Sequence, residues 1–315
     1  MSAVDVVPEL AVHRTHPLTA PAVWRVIRHE GLGSLTVRSF ARLRHGDGFS
    51  HARATGFQVS LAVVPLVIAV IGLSQLLGAS WMGLVLRRTL LQLTPGASDA
   101  LVRQTLPGSD ESALRVSAFV LVVAAALLAL TTAMAQLERG ANRVYGIDTD
   151  RPTRGRYGRA LVLAVAAGLP AMAGSLVLVA GSAFAEAVEQ VHGIDDDLVL
   201  LLTWPVGVLL VVGPVTVLLR SAPHRRQPGW TVLLFGGGLA LLAWTGLTLL
   251  LAGALQLSAG FGSVYGPLTG VVVLLLWSQM ASAAILFGFA VSAELELVAG
   301  ATPDPSRPSP PEEHR

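Results

Sequence analysis

The chain has 315 residues, of which 53% are hydrophobic and only 13% are charged, and its mean hydropathy is +0.63. A soluble domain carries about 25% charged residues, so this composition excludes an ordinary soluble protein. The formal net charge is +2 and there is no cysteine, which excludes disulfides, thiolate metal sites and cysteine nucleophiles.

Six long apolar segments follow one another along the chain, and the charged residues lie between them. A helix needs roughly 20 apolar residues to cross a bilayer core about 30 Å thick. We therefore predict an all-α membrane protein, a bundle of six transmembrane helices at about residues 54–78, 114–137, 160–183, 198–219, 230–255 and 267–293. This membrane domain, 54–293, lies between an Arg-rich N-terminal segment, 1–53, and a Pro-rich disordered tail, 294–315.

The orientation follows from arginine, which supplies all 22 basic residues of the chain. Eighteen of them lie before the first span, after the second, between the fourth and fifth, or after the sixth. The other four lie on the opposite side: Arg87, Arg88, Arg103 and Arg115. By the positive-inside rule we predict a multi-pass protein of the bacterial cytoplasmic (inner) membrane with both termini in the cytoplasm.

Two segments outside the spans have amphipathic patterns. Val23–Leu43 interleaves apolar residues with arginine, which predicts a juxtamembrane helix attracted to anionic lipid headgroups. Nucleic-acid binding is the competing interpretation of an Arg-rich arm, but topology alone explains the arginines, so we expect no nucleic-acid partner. Ser80–Leu106 predicts an external amphipathic helical segment between spans one and two, either a lid on the bundle or a lipid-sensing element. The oligomeric state is not indicated.

The polar groups inside the spans are neutral. No Asp, Glu, His or Arg lies in the middle of a span, whereas ion-coupled transporters commonly place an ionisable group there. Gln58, Gln136 and Gln279, with several Ser and Thr, belong to spans one, two and six. They predict either hydrogen bonds between helices or a polar pathway formed by these three spans. Pro65 kinks the first span, and the glycines at 236–238 predict a close approach of a neighbouring helix.

Charged groups collect where spans two and six end. Arg139 and Arg143 follow span two, and Glu294 and Glu296 close span six. Arg139 and Glu294 are predicted at the same depth, where they could form an ion pair, while Glu296 is expected to be a solvated boundary charge.

Three stretches carry a resemblance to a known family. They are His51-Ala52-Arg53-Ala54 with Phe57-Gln58 and Pro65, then Gln136–Gly146, and Phe261–Gly266 with the apolar run to Ser292-Ala293-Glu294. Over roughly residues 30–297 the chain resembles the YihY/BrkB family of bacterial inner-membrane proteins, although Gln58 stands where many members have Tyr and Ser292 where they have Gly. The pattern and the resemblance together nominate these candidate functional residues: Gln58, Pro65, Gln136, Arg139, Asn142, Arg143, Tyr265, Gly266, Gln279 and Glu294.

The resemblance also carries a misleading activity, because members of the family have been called ribonuclease BN. A metal-dependent nuclease needs clustered His and carboxylate ligands. The eight His are scattered over termini and loops, so we predict no enzyme activity, no catalytic residue, no metal and no cofactor. The resemblance implies a membrane-embedded protein, for which we expect a transporter or a protein that handles a lipid or solute of unknown identity. The alternative is a non-transporting envelope scaffold.

Overall fold

The computed structural model describes residues 20–76, 112–179, 181, 185–186, 188–189, 196–257 and 268–301. The elements of this part of the chain are helices: α1 (Ala20–Glu30), α2 (Leu32–His45), α3 (Gly48–Leu76), α4 (Ser112–Val144), α5 (Thr153–Leu163), a π-helical turn (Ala164–Gly168), α6 (Leu169–Val179), α7 (Asp196–Ser221), α8 (Trp230–Leu257) and α9 (Leu268–Ala301). The predicted external segment Ser80–Leu106 lies outside the described residues, as do Tyr265, Gly266 and the tail from 302.

Within the described residues, six stretches are long and apolar enough to cross a membrane. They are Gly48–Val70, Ser117–Val144, Thr153–Ser175, Val199–Ser221, Trp230–Leu257 and Thr269–Ala299. For the described part of the chain this confirms the prediction of an all-α protein with six helices that could cross a membrane. α3 alone has 29 residues, a length of about 44 Å at 1.5 Å per residue, so it extends beyond the bilayer core.

The third span is one helical path with a local change of winding. α5 and α6 are joined by the π-helical turn, which ends two residues before Pro170. Proline has no amide hydrogen and its ring crowds the carbonyl four residues earlier, so the regular α ladder cannot continue through this point. Widening the turn accommodates the proline without ending the span.

The N-terminal arm forms two helices where the sequence pattern over Val23–Leu43 predicted one. The break falls at Gly31, whose φ of 78° is in the left-handed region that glycine adopts without steric cost. Both helices pack against the end of α9, and α2 buries Leu35, Ser39 and Leu43. The arm is therefore part of the folded bundle.

α9 lies at the centre of the bundle, where it packs against α8, α3, α2 and α4. The contact with α8 is very close, because a Cβ added to Gly236 would lie 2.8 Å from the carbonyl oxygen of Gly288. The prediction of a close approach at the glycines of span five is thus confirmed for Gly236, whereas Gly238 has open space around it. α3 and α4 form the most extensive pair of neighbours in the bundle.

Successive spans alternate in direction, so one end of the bundle collects the start of α3, the end of α4, the start of α5 and the end of α9. We call it the arginine-rich end. The end of α4 illustrates how the chain turns back there. Gly146 has a φ of 71°, and the amide of Ile147 donates to the carbonyl oxygen of Asn142 at 2.8 Å. This Schellman-type ending directs the following loop back over the bundle.

Candidate functional site

Three buried ion pairs form a layer at the arginine-rich end, which we call the charged layer. The pairs are Arg42 with Glu294, Arg151 with Glu138, and Arg225 with Glu296. They join α2 to α9, the loop after α4 to α4 itself, and the α7–α8 loop to α9. Since buried charges are tolerated only when they are paired, each pair fixes the two chain segments that it joins.

Glu294 pairs with Arg42 and not with Arg139, so the predicted partner is wrong. Nε of Arg42 donates to Oε1 of Glu294 at 2.5 Å, and its Nη1 donates to the carbonyl oxygen of Val144 at 3.2 Å. The reason is the folding of the arm onto the bundle, which brings Arg42 against Glu294 of α9. A sequence signal existed: Leu35, Ser39, Arg42 and Leu43 share one face of α2, and all four are buried.

Glu296 is also buried, so the expectation of a solvated boundary charge is wrong. Its Oε1 accepts from Nη2 of Arg225 at 2.5 Å, and the side chains are 10% and 5% exposed. The Arg225 guanidinium lies 4.9 Å from the ring centroid of Tyr145, a residue with no exposed surface. Burial, together with the nearby charge of Glu296, raises the pKa of the Tyr145 phenol despite Arg225 and Arg42. Its hydroxyl oxygen makes no hydrogen bond.

Asn142 connects two loops at the same end. Its Nδ2 donates to Oδ1 of Asp150 at 3.0 Å, and its Oδ1 accepts from the backbone amide of His224 at 2.9 Å. Asn142 is 1% exposed, so both partners replace water. Arg143, in contrast, forms an exposed pair with Asp148 at 2.6 Å. Of these two candidates, Asn142 holds the loops in place and Arg143 faces solvent.

A second polar region runs along the contact between α3 and α4, and we call it the α3–α4 seam. The hydroxyl of Thr132 donates to Oε1 of Gln58 at 3.0 Å, and Nε2 of Gln136 lies 3.0 Å from Nδ1 of His51. His51, Thr55 and Gln58 are spaced by four and three residues, as are Thr132, Gln136 and Arg139, so each set occupies one helix face. The seam consists of these six residues.

The seam runs inward from the arginine-rich end. Gln58 lies ten residues after the start of α3 at Gly48, or about 15 Å along the helix. α9 packs closely against α3 near Gln58, because a Cβ added to Gly56 would lie 2.6 Å from Cα of Gln279. Spans one, two and six therefore meet at the level of Gln58, Thr132 and Gln279, as the polar-pathway interpretation requires.

Three buried hydroxyls at this junction make no hydrogen bond. They belong to Thr55, Thr131 and Ser278, which are 2%, 8% and 0% exposed. A helical Ser or Thr commonly donates to the carbonyl four residues earlier, as Ser282 does to Ser278 at 2.8 Å. The interhelical interpretation thus explains Gln58 and Thr132 but not these three hydroxyls.

The remaining candidates are placed apart from these regions or outside the described residues. Pro65 lies in α3 beyond the seam and makes no polar contact with it. Tyr265 and Gly266 fall on residues that the structure does not describe. Among the described residues, no three His, Asp or Glu side chains come together as a group that could hold a metal ion.

Comparison with known families agrees with this architecture. The model of the family described as virulence factor BrkB matches residues 39–313, which include all six spans. Neither the curated proteins nor the solved structures gave a match. Because the family model covers most of the chain, this protein belongs to the virulence factor BrkB family.

Proposed function

We propose that this protein moves or handles a small or lipidic solute within the bacterial cytoplasmic membrane, with both termini in the cytoplasm. The orientation is supported by the 18 arginines assigned to one side. The observation that carries the function is the junction of α3, α4 and α9, where Thr55, Thr131 and Ser278 bury hydroxyls without partners. An unsatisfied hydroxyl in a membrane interior is costly, so these groups favour a polar ligand over a purely structural role.

The proposal is tested with purified protein in vesicles. Exchange of fluorescent phosphatidylglycerol between leaflets is followed by adding a membrane-impermeant quencher, and release of a trapped small solute is followed in parallel. We expect one of the two to exceed the rate in protein-free vesicles. The proposal fails if both rates equal the background.

The second candidate is an envelope scaffold that works through the N-terminal arm. It is favoured by exposed aromatic and apolar groups on α1 and α2, including Trp24, Val37 and Phe40, beside exposed arginines. Deleting the whole arm cannot separate the two candidates, because it also removes Arg42 and leaves Glu294 buried without its partner. Replacing the exposed Arg25, Arg28 and Arg38 by Gln spares the charged layer. A scaffold loses its cellular role in this variant, whereas a transporter keeps its flux.

We further propose that the protein is not a nuclease. Its histidines are dispersed in sequence, and the buried carboxylates of the charged layer are each engaged by an arginine. Metal-dependent cleavage of RNA by the purified protein, abolished by a point substitution, is the result that contradicts this.

A further inference from the structure

Arg139 differs from the arginines of the charged layer because none of the described residues supplies it with a counter-charge. It is partly buried, its Nε is buried without a hydrogen bond, and its guanidinium forms no ion pair with a described residue. Arg42, Arg151 and Arg225 each contact a carboxylate within 2.7 Å. Withdrawing part of a guanidinium from water without a partner is unfavourable, so this position is suited to an external anion.

His51 supplies a second donor beside it. Gln136, Arg139, Gly140 and Arg143 share one face of α4, and a Cβ added to Gly140 would lie 2.9 Å from Cβ of His51. The Gln136 amide nitrogen can only donate, so Nδ1 of His51 accepts from it and the proton of the neutral ring lies on Nε2. The Nε2–H of His51 on α3 and the guanidinium of Arg139 on α4 therefore lie on adjacent helices at the same end of the seam.

The carboxylates near His51 form no ion pair with Arg139. The charges that act on His51 come from Asp47, Arg143, Arg139 and Asp150. Asp47 is exposed, and Asp150 accepts from Asn142 and Arg156. Neither carboxylate forms an ion pair with Arg139, and Arg143 is already engaged by Asp148. Arg139 is therefore the arginine of this group that has no ion pair among the described residues.

The position matches the level of lipid headgroups. His51 is three residues into α3 and Arg139 is five residues before the end of α4, or about 5 and 8 Å from the helix ends. Farther along α3, Phe57 and Leu61 expose 49% and 50% of their surface one turn apart. A polar site beside an exposed apolar stripe fits an amphiphile whose headgroup is anionic.

We propose that His51, Gln136 and Arg139 bind the phosphate of an anionic phospholipid, with its acyl chains against the exposed stripe of α3. The seam from Gln136 to Gln58 is then the route of the headgroup toward the middle of the membrane. The route rests on the proposed function, but the binding site does not, since a bound lipid requires no transport.

The test is a titration of detergent-purified full-length protein with phosphatidylglycerol, followed by native mass spectrometry. We expect Arg139→Gln to weaken binding at least about tenfold, because charge-assisted bonds to a phosphate are lost. Arg139→Lys keeps the positive charge but loses the two parallel N–H donors of the guanidinium, and it is expected to weaken binding less than Arg139→Gln does. Arg38→Gln, which removes an exposed arginine of the arm, is the matched control and should bind as the wild type does.

Four results overturn the proposal. Equal binding by wild type and by Arg139→Gln shows that the site does not hold the headgroup. If Arg38→Gln loses as much lipid binding as Arg139→Gln does, the attraction of the lipid is nonspecific. If Arg139→Gln changes the oligomeric state, a second copy of the chain covers the seam. Excess inorganic phosphate that displaces the lipid would contradict the lipid as the source of the anion. Binding that depends on Arg139 in a protein that gives no flux sinks the proposed function and leaves this site standing.

Discussion

The charged layer and the α3–α4 seam are both polar and both partly enclosed, but they differ in whether their buried polar groups have partners. In the layer each buried carboxylate faces an arginine, and three segments outside the spans are tied to the spans. In the seam and at its junction with α9, three hydroxyls and one guanidinium nitrogen are buried without partners. Both oxygens of Glu138 in the layer also make no hydrogen bond, but Oε1 lies 2.7 Å from the guanidinium of Arg151, so the layer is paired by charge where the hydroxyls of the junction have no partner. On this difference we propose that the layer is structural and that the seam is available to a ligand.

The largest effect is expected from breaking one pair of the layer. Arg42→Leu leaves Glu294 buried without its partner and should lower the free energy of unfolding by about 3–5 kcal/mol. Arg42→Leu combined with Glu294→Leu should recover most of that loss, since two apolar side chains need no partner. Arg38→Leu breaks an exposed pair with Glu30 and should cost at most about 1 kcal/mol. Denaturant titration in detergent measures all three, and equal losses for Arg42→Leu and Arg38→Leu would show that the layer is not structural.

The close approach of α3 and α9 gives the next largest effect. In Gly56→Ala the new methyl group meets the backbone of Gln279, which should cost about 1–3 kcal/mol of stability. Gly238→Ala meets open space and should be neutral or stabilise by up to about 1 kcal/mol through helix propensity. The same unfolding experiment compares them. If the two variants are equally stable, α3 and α9 are not in contact at the seam.

Tyr145 lies beside the ion pairs of the charged layer, but its hydroxyl has no partner, as in the seam. Its replacement tests whether such a buried hydroxyl contributes to stability. Tyr145→Phe should change stability by no more than about 1 kcal/mol, with a gain as the favoured direction. The folded-state pKa of the phenol is raised above the ordinary value of 10.0, so the unfolded chain loses its proton first and wild-type stability falls as pH rises above that value. Unfolding measured between pH 9 and about 11.5 should show a shallower decline in Tyr145→Phe. Identical slopes would mean that the phenol is not buried.

The smallest loss of stability is expected in the three hydroxyls of the junction. Thr55→Val, Thr131→Val and Ser278→Ala lose no hydrogen bond and should lower the unfolding free energy by no more than about 0.5 kcal/mol, with a gain as the favoured direction. Their exchange of fluorescent lipid in vesicles should nevertheless fall, because a polar ligand loses its partners. Ser282→Ala, which removes an ordinary intrahelical bond, is the control. Large destabilisation by the three substitutions would assign these hydroxyls to helix packing.

The spans were predictable from sequence and the ion pairs were not, for a physical reason. A membrane span is a local property, since about 20 apolar residues must lie in one stretch, and six such stretches are present. The partner of Glu294 is 252 residues away and depends on how the arm folds back, which periodicity alone does not specify. The sequence predicted that spans one, two and six could meet. It did not predict the register that places Gln58, Thr132 and Gln279 at one level. Gly56 decides that register, because only glycine allows α9 to come so close.

The most direct test of the division between the two regions is lipid exchange by Gln136→Leu, measured with its stability. Gln136 contacts His51 in the seam and no member of the charged layer. We predict an unfolding free energy within about 1 kcal/mol of the wild type and exchange of fluorescent phosphatidylglycerol reduced to the rate of protein-free vesicles. A folded Gln136→Leu protein that exchanges the lipid as fast as the wild type would contradict the account.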